Sequence, residues 1–353
     1  MEKRCITSFT IEQLTALMKE LGQPGFRAKQ IFHWVHQKQA AEFSQMTDQP
    51  KALIARLEQD FYIAQHKVRR CQRSKDGTVK YLFELADGNC IETVLMRYNY
   101  GNTVCVSTQV GCRMGCRFCA STQGGRVRNL EAGEIAAELY GVMRDTGERV
   151  SHVVLMGIGE PLDNFDNVMD FLEIVSCADG INIGMRNISL STCGLVPMID
   201  KLAEKKLQLT LSVSLHAPEN TMRSSMMPVN NAYPVEQLIA ACRRYQQTTG
   251  RRISFEYSMV RGVNDSDQTA AMLAKLIRGM GAHVNLIPIN PVDGSPYSAS
   301  DDANVRRFQQ RLMDLGVNAT VRRRLGQDIS AACGQLRRED SKGGVPNADH
   351  CQN

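Results

Sequence analysis

The hydrophobic positions divide the first hundred residues into two stretches with different periods. Apolar residues recur at helical spacing within 10–21, 26–37 and 50–61, which predicts three helices. From 66 to 98 apolar and polar residues alternate, and Asp87-Gly88 separates two such runs, which predicts a β-hairpin. We therefore expect a helical N-terminal domain over residues 1–65 and a β-hairpin extension over residues 66–97.

From residue 104 onward, short apolar runs alternate with amphipathic segments. Strands are predicted at 104–110, 151–157, 186–192, 208–215, 253–259 and 283–289, and helices at 131–144, 165–177, 196–205, 234–249, 266–279 and 301–315. Such units pair their strands in parallel with right-handed crossovers, and eight of them close a barrel. Six units predict an α/β fold with a partial (β/α)6 TIM-like barrel over residues 98–338. The polar segment 339–353 is predicted to be a disordered tail.

Composition and charge narrow the class of protein. The 353 residues carry a formal net charge of +5, which permits a nucleic-acid partner without requiring one. The charged start shows no signal peptide, and no stretch is apolar enough to span a bilayer, so we expect a cytoplasmic protein. In that compartment the twelve cysteines indicate metal binding or catalysis rather than a disulfide framework.

Three cysteines, Cys112, Cys116 and Cys119, form a C-x3-C-x2-C loop directly after the first apolar run of the barrel. Unrelated buried cysteines are one explanation, although free cysteines are usually scattered. A zinc site is another, but zinc pairs usually come with a second C-x2-C pair, which this chain lacks. The third is an iron–sulfur cluster with one open position, and the loop resembles the signature of the radical S-adenosylmethionine superfamily.

Further candidate residues lie where the predicted strands end, which is where chemistry gathers in such folds. Met156-Gly-Ile-Gly-Glu-Pro161 resembles the segment by which radical S-adenosylmethionine enzymes hold the methionine amino group. His216 suits either a core position or a ligand contact. Without further context, Glu92 is expected to be a solvent-facing strand residue. Cys333 is expected to be a small buried apolar residue. The other polar candidates at strand ends are Ser191, Ser214 and Asn290.

Basic residues suggest two surfaces for RNA. One is an N-terminal group that consists of Arg27, Lys29, His33, His36 and Lys38, for which a solvated helix face is an equally good explanation. The other is the run Arg322, Arg323 and Arg324. In an alternating strand this run points to both faces, so its members cannot all reach one phosphate.

Several motifs together resemble the RlmN family, and the likeness spans essentially the whole chain. They are Cys105-x6-Cys112-x3-Cys116-x2-Cys119, 156–164, Ser214-Leu-His216, 286–291 and 328–336. The resemblance implies a dual-specificity methyltransferase that makes 2-methyladenosine in 23S rRNA and tRNA. The Cfr family, which methylates C8 of the same rRNA adenosine, is the alternative. A non-catalytic iron–sulfur or zinc protein and a glycyl-radical activator are more distant alternatives.

The resemblance also implies roles for individual positions. Cys112, Cys116 and Cys119 would hold a [4Fe–4S] cluster, and Cys333 would carry the methyl group as S-methylcysteine. Cys105 would form a transient disulfide with Cys333, and Glu92 would accept a proton. S-adenosylmethionine, two molecules per turnover, would be bound by Gly159, Glu160, Ser191, Ser214, Leu215, His216 and Asn290. We further expect a monomer that receives electrons from a donor such as flavodoxin or ferredoxin.

Overall fold

A computed structural model describes residues 3–289, 296–326 and 328–329. Its N-terminal part confirms the three predicted helices, α1 (Ile11–Glu20), α2 (Phe26–His36) and α3 (Lys51–Asp60). Two short strands, β1 (Arg4–Cys5) and β2 (Phe61–Tyr62), pair in parallel around them. Helix α1 starts at a capping box, in which Thr10 and Gln13 exchange backbone and side-chain hydrogen bonds. This local satisfaction of helix-end amides explains why the sequence pattern located the helix correctly.

Three antiparallel strands follow: β3 (Lys67–Arg73), β4 (Val79–Glu84) and β5 (Cys90–Tyr98). The predicted hairpin is β4–β5, but β3 and β6 (Gly101–Cys105) flank it on either side. The hairpin is therefore part of the main sheet rather than an appendage. The division of the chain at residues 65 and 97 stays a prediction, because one hydrophobic core runs from the N-terminal helices into the barrel.

The barrel contains the six predicted strand–helix units. Its elements are β6, β7 (Gln109–Gly111), β8 (Arg126–Asn129), α4 (Ala132–Thr146), β9 (His152–Leu155), α5 (Phe165–Ser176), β10 (Ile188–Thr192), α6 (Val196–Glu204), β11 (Thr210–Ser214), α7 (Asn220–Met226), α8 (Val235–Thr249), β12 (Ile253–Met259), α9 (Asp267–Leu276), β13 (His283–Pro288), α10 (Asp302–Asp314) and β14 (Asn318–Val321). The ten-stranded sheet has the order β14-β13-β12-β11-β10-β9-β6-β5-β4-β3. Within this sheet, all neighbouring strands from β6 to β14 pair in parallel, as predicted.

The structure corrects two details of the prediction. The run 104–110 is not one strand, because β6 ends at Cys105 and β7 pairs with β8 in a separate two-stranded sheet. A seventh parallel strand, β14, ends at Val321, so Arg322–Arg324 lie beyond it and do not alternate within a strand. In the described part of the chain, no helix is both long and apolar enough to cross a lipid bilayer.

The two faces of the parallel strands differ in polarity. On β12, Phe255 and Tyr257 are fully buried against the helices, while Glu256 lies on the opposite face. There Asn285 Nδ2 on β13 donates to Glu256 Oε2 at 2.8 Å, and Ser254 contacts His283. The apolar face builds the core, and the polar face is left to line the interior of the partial barrel.

Candidate cofactor site at the mouth of the barrel

A cavity of about 280 Å³ lies where the parallel strands end. The loop after β7 forms one wall, and the ends of β9 to β13 form the others. Its lining includes many of the predicted site residues, namely Cys112, Cys116, Cys119, Gly159, Glu160, Ser191, Ser214 and His216. Residues that are more than a hundred positions apart in the sequence therefore share one cavity, as the strand-end argument predicted.

The cysteine loop is held in shape by its own backbone and by helix α7. Cys119 N donates to Cys116 O at 3.1 Å, and Thr122 Oγ1 donates to both Cys116 O and Cys119 O. Arg117 N donates to Met226 O at 3.0 Å, which ties the loop to the neighbouring wall. These hydrogen bonds hold the loop in place, and its three cysteines line the cavity.

The three thiols fit a metal cluster in number, softness and placement. Burial, together with the nearby Cys119, raises the pKa of Cys112 to about 12, and burial also raises the pKa of Cys116. A bound metal cation is the factor that makes such thiols ionise. Within residues 3–289, 296–326 and 328–329, no three His, Cys, Asp or Glu side chains converge on a single-ion site. A [4Fe–4S] cluster needs no such convergence, since each thiolate binds a different iron atom.

Glu160 and the glycines before it form a tightly packed corner. Glu160 is buried, its Oε1 accepts from Leu162 N at 3.0 Å, and its Oε2 accepts from Cys193 N at 2.7 Å. Burial raises the pKa of Glu160, and the amide donors oppose that shift. Gly159 has a φ of +111°, and a Cβ there would lie 2.7 Å from Gln109 Cβ. Only glycine fits at this position, and the carboxylate beside it suits an ammonium group.

His216 is held in one orientation by its neighbours. Its Nδ1 accepts from Ser258 N at 2.9 Å, so in the neutral ring Nε2 carries the hydrogen. Burial lowers the pKa of His216 to about 3, and the ring meets Phe118 edge-on with centroids 4.9 Å apart. Leu215 is fully buried in the hydrophobic core, while Ser191 and Ser214 line the cavity and are partly exposed.

Arg223 is a structural residue of the site that sequence reasoning missed. Its guanidinium is completely buried, donating to Leu215 O at 3.1 Å, Cys193 O at 2.7 Å and Ser214 O at 3.1 Å. These carbonyls follow or end strands β10 and β11, so one side chain ties two walls of the cavity together. The arginine lies in a polar helical stretch, where nothing in the local pattern distinguishes it from a surface residue.

Two further lining residues, Glu256 and Arg322, were also not predicted to face the cavity. Burial raises the pKa of Glu256, while the charge of Arg322 and hydrogen bonds such as that from Asn285 oppose the shift. Arg324 instead pairs with Asp302 at 2.8 Å, and Arg323 is exposed. The basic run therefore divides into one cavity residue, one exposed residue and one ion-paired residue.

Glu92 and Cys105 lie on adjacent strands at the same face of the sheet. Cys105, at the end of β6, pairs with Val94 of β5, and Glu92 is two residues along β5 on the face that Val94 shares. The next residue, Thr93, points the other way and donates to Glu138 of α4. Glu92 is buried, and Lys80 Nζ of β4 lies 3.3 Å from its Oε1. The simple expectation that Glu92 faces solvent is wrong.

Two predicted residues, Asn290 and Cys333, lie outside the described residues. No disulfide bond links the ten cysteines within them. Among the N-terminal basic residues, His36 is fully buried, and its Nδ1 contacts Tyr140 Oη at 2.7 Å. The prediction that His36 faces RNA is therefore wrong, because helix α2 turns it toward α4. Lys29 and Lys38 are exposed, and Lys38 Nζ lies 3.6 Å from the centre of the Trp34 ring.

Comparisons with known proteins agree with this site. A model of the radical SAM superfamily matches residues 106–274, and one of the ribosomal RNA large subunit methyltransferase N-terminal domain matches residues 6–63. A probable dual-specificity RNA methyltransferase RlmN from Clostridium botulinum is 52% identical over 94% of this chain and 96% of its own length. A relative of the same name from Desulforamulus reducens is 52% identical over 92% of this chain and 93% of its own.

A crystal structure of a radical SAM methyltransferase from Sphaerobacter thermophilus shares the fold. It superposes with a TM-score of 0.89 at 45% identity and covers 94% of this chain and 98% of the other. The agreement extends over the N-terminal helices, the antiparallel strands and the partial barrel. The chain belongs to the RlmN family, within the radical SAM superfamily.

Proposed function

We propose that this protein methylates C2 of an adenosine in 23S rRNA and in tRNA, with S-adenosylmethionine as the methyl donor and Cys333 as the carrier. The relatives are named dual-specificity RNA methyltransferases, which supports an RNA substrate. Their RlmN name favours C2 over the C8 methylation of the Cfr family. The observation that carries the proposal is that a cavity lined by three thiols lies at the strand ends of the same ten-stranded sheet in which a buried acid, Glu92, and a buried thiol, Cys105, share one face of adjacent strands.

The cavity residues divide the binding of the cofactors among them. Cys112, Cys116 and Cys119 hold a [4Fe–4S] cluster, which when bound supplies the electron for reductive cleavage of S-adenosylmethionine. Glu160 accepts a hydrogen bond from the amino group of the methionine moiety. The other predicted contacts of S-adenosylmethionine are Gly159, Ser191, Ser214, Leu215, His216 and Asn290. Burial of the cavity excludes water from a reactive cofactor.

Two molecules of S-adenosylmethionine are used in each turnover. The Cys333 thiolate attacks the sulfonium methyl of the first, so that a new S–CH3 bond forms and S-adenosylhomocysteine leaves. Cleavage of the second would supply a radical that takes one hydrogen atom from that methyl group, so that the remaining S–CH2 carbon can bond to C2 of adenine. The adduct would then give up one electron, which balances the electron used in the cleavage. Glu92 then accepts the proton from C2. The Cys105 thiolate forms a disulfide with the Cys333 sulfur as the bond from that sulfur to the transferred carbon breaks. That carbon keeps the electron pair of the broken bond and takes up a proton, which completes the methyl group of the product.

The partners follow from this chemistry. The adenine must be unstacked before its C2 can be reached, so a loop or another single-stranded region is the substrate. An electron donor such as flavodoxin or ferredoxin supplies the reducing equivalent, and the protein acts as a monomer in the cytoplasm.

The proposal is tested by variants that separate the attack on adenine from the release of the methylated RNA. We expect Cys105→Ala to methylate Cys333 and to attack adenine, but to retain the RNA as a covalent complex. A denaturing gel would show this complex as a shift that nuclease removes. Cys333→Ala should give neither product nor complex, and Cys71→Ala, which alters a cysteine in the hydrophobic core, should behave like the parent. Mass spectrometry of the nucleosides distinguishes 2-methyladenosine from 8-methyladenosine. Turnover of Cys105→Ala at the parent rate without a complex would refute the mechanism.

A further inference from the structure

The chain beyond β14 reaches across the open side of the barrel. Strand β14 is one edge of the ten-stranded sheet, and β3 is the other. Arg322 N still donates to Leu286 O of β13 at 2.8 Å, whereas Gly326 N donates to Asp76 Oδ2 at 2.8 Å. Asp76 lies in the turn between β3 and β4. We call residues 322–326 and 328–329 the strap, because they connect the two edges of the sheet.

A second residue of the strap binds the same turn. Asp328 accepts from Ser74 Oγ through Oδ1, and from Lys75 N at 2.9 Å through Oδ2. Ile329, next to it, is 9% exposed, so an apolar side chain is buried at the same place. With the contact to Asp76, three hydrogen bonds from two strap residues converge on one short turn.

The turn also has hydrogen bonds of its own, in addition to those with the strap. Asp76 Oδ1 accepts from Thr78 N at 2.9 Å, and Ser74 Oγ accepts from Asp76 N at 3.3 Å. Gly77 has a φ of +87°, and its carbonyl accepts from Arg97 Nη1. Desolvation raises the pKa of Asp76, but hydrogen bonds from the Gly326 and Thr78 amides and from the Thr78 and Ser74 side chains together outweigh it and lower the pKa to about 2. The carboxylate is therefore ionised at neutral pH, which strengthens its hydrogen bonds.

We propose that the turn at Ser74–Thr78 positions Cys333 for methylation by fixing the strap to the sheet. This rests on the proposed role of Cys333 as the methyl carrier. Asp328 precedes Cys333 by five residues, a length of chain that spans at most about 18 Å. The anchored carboxylate thus limits the volume that the Cys333 thiol can search. The transfer of a methyl group requires an aligned thiolate, and misplacement by about 1 Å can slow such a step a hundredfold.

The same turn leads directly into the strands that carry the acid of the reaction. Thr78 is followed by β4, whose Lys80 lies 3.3 Å from Glu92 of β5. The turn therefore connects the strap to the hairpin that holds the proposed proton acceptor. The hairpin that carries Glu92 therefore also anchors the strap that leads to Cys333.

The test compares the first methyl transfer in the parent, in Asp76→Ala and in Asp76→Asn. Each full-length protein, with its cluster reconstituted, is mixed with S-adenosylmethionine without reductant, and methylation of the Cys333 peptide is followed by mass spectrometry. We expect Asp76→Ala to methylate Cys333 about ten- to a hundredfold more slowly. Asp76→Asn keeps one acceptor oxygen for the two amides of Gly326 and Thr78, and it should recover part of the rate. Asp87→Ala, in the turn between β4 and β5, is the matched control and should match the parent.

Independent measurements separate positioning from a general structural effect. In Asp76→Ala the peptide that contains Gly326 should exchange its amide hydrogens faster, while iron content, melting temperature and S-adenosylmethionine affinity stay at parent values. Parallel loss of those three properties would make the turn merely structural and would overturn the proposal. Parent-like methylation in Asp76→Ala would overturn the positioning role alone. A parent protein without methyl on Cys333 would overturn the carrier role, and the positioning role with it.

Discussion

The barrel mouth and the antiparallel strands both bury charged side chains, but they stabilise them differently. At the mouth, Arg223 donates to three backbone carbonyls and Glu160 accepts from two backbone amides. In the antiparallel strands, Lys80 and Glu92 form an ion pair, with side chains 0% and 4% exposed. Backbone dipoles solvate the charges in the first region, and opposite charges compensate each other in the second.

This difference matches what each region has to do. The cofactors proposed to bind at the mouth carry charges of their own. Because backbone groups already solvate Arg223 and Glu160, these side chains do not have to rearrange when such a ligand binds. In the proposed mechanism the carboxylate of Glu92 accepts a proton, and the ammonium group of Lys80 lies 3.3 Å from it, close enough to compensate its charge. Under the proposed mechanism, the backbone-solvated frame serves ligand binding, and the ion pair holds the proposed proton acceptor in place.

The largest effect is expected from the cluster ligands. Replacement of Cys112, Cys116 or Cys119 by alanine should abolish cluster assembly, because three protein ligands leave none to spare. Iron and sulfide analysis of the anaerobically reconstituted variants measures this. Cys193→Ala is the control, since Cys193 lines the same cavity without belonging to the C-x3-C-x2-C loop. A full cluster in any of the three variants would show that another residue can bind the iron in place of the missing cysteine.

The ion pair gives the next largest effect. Lys80→Met removes the ammonium next to a buried carboxylate, so we expect a loss of about 3–5 kcal/mol in the free energy of unfolding. The double variant Lys80→Met/Glu92→Leu removes both charges and should recover much of that loss. Urea unfolding of both single variants and the double variant completes the cycle. If the double variant loses the sum of the single effects, the two side chains do not act as a pair.

Arg223 provides the matching test at the mouth. Arg223→Met leaves buried carbonyls of Cys193, Ser214 and Leu215 without this donor, at a cost of about 1–3 kcal/mol for each unsatisfied group. Because no carboxylate pairs with Arg223 among the residues described, no second substitution of a charge should restore stability. Urea unfolding and S-adenosylmethionine affinity are the measurements. Parent-like values for both would mean that the strand ends hold the cavity without the arginine.

The sequence predicted the parts of the fold in which local pattern and tertiary environment agree. Each strand–helix unit repeats a short apolar run and an amphipathic segment, so six of them predicted the partial barrel, and motif spacing predicted the cysteine loop. The position of Glu92 depended on register. The sequence shows a carboxylate in an alternating strand, but only the pairing with β4 and β6 shows that it faces Lys80 and the side of Cys105.

Long-range contacts explain what the sequence could not predict. Arg223 lies in a short polar helix and His36 at the end of an amphipathic one, and in both settings a polar side chain normally faces water. Arg223 is buried because its guanidinium donates to carbonyl groups at the ends of strands β10 and β11. His36 is buried because α2 packs against Tyr140 of α4. The strap contacts join residues about 250 positions apart. No local periodicity carries information about such pairs.

The smallest effect is expected at the basic run Arg322–Arg324. The charge tested there is on the surface, unlike the buried charges compared above. Arg323 is exposed, whereas Arg324 is paired with Asp302 and Arg322 lines the cavity. If only Arg323 contacts a phosphate, Arg323→Ala should shallow the slope of log K against log salt by about 0.7 to 0.9. Arg324→Ala, the control, should leave the slope unchanged, because its charge is already compensated by a carboxylate. Filter binding of substrate RNA across a salt series measures both variants. A slope that changes equally in the two would mean that the ion pair with Asp302 opens in the complex, and an unchanged slope in both would identify the run as a solvated surface.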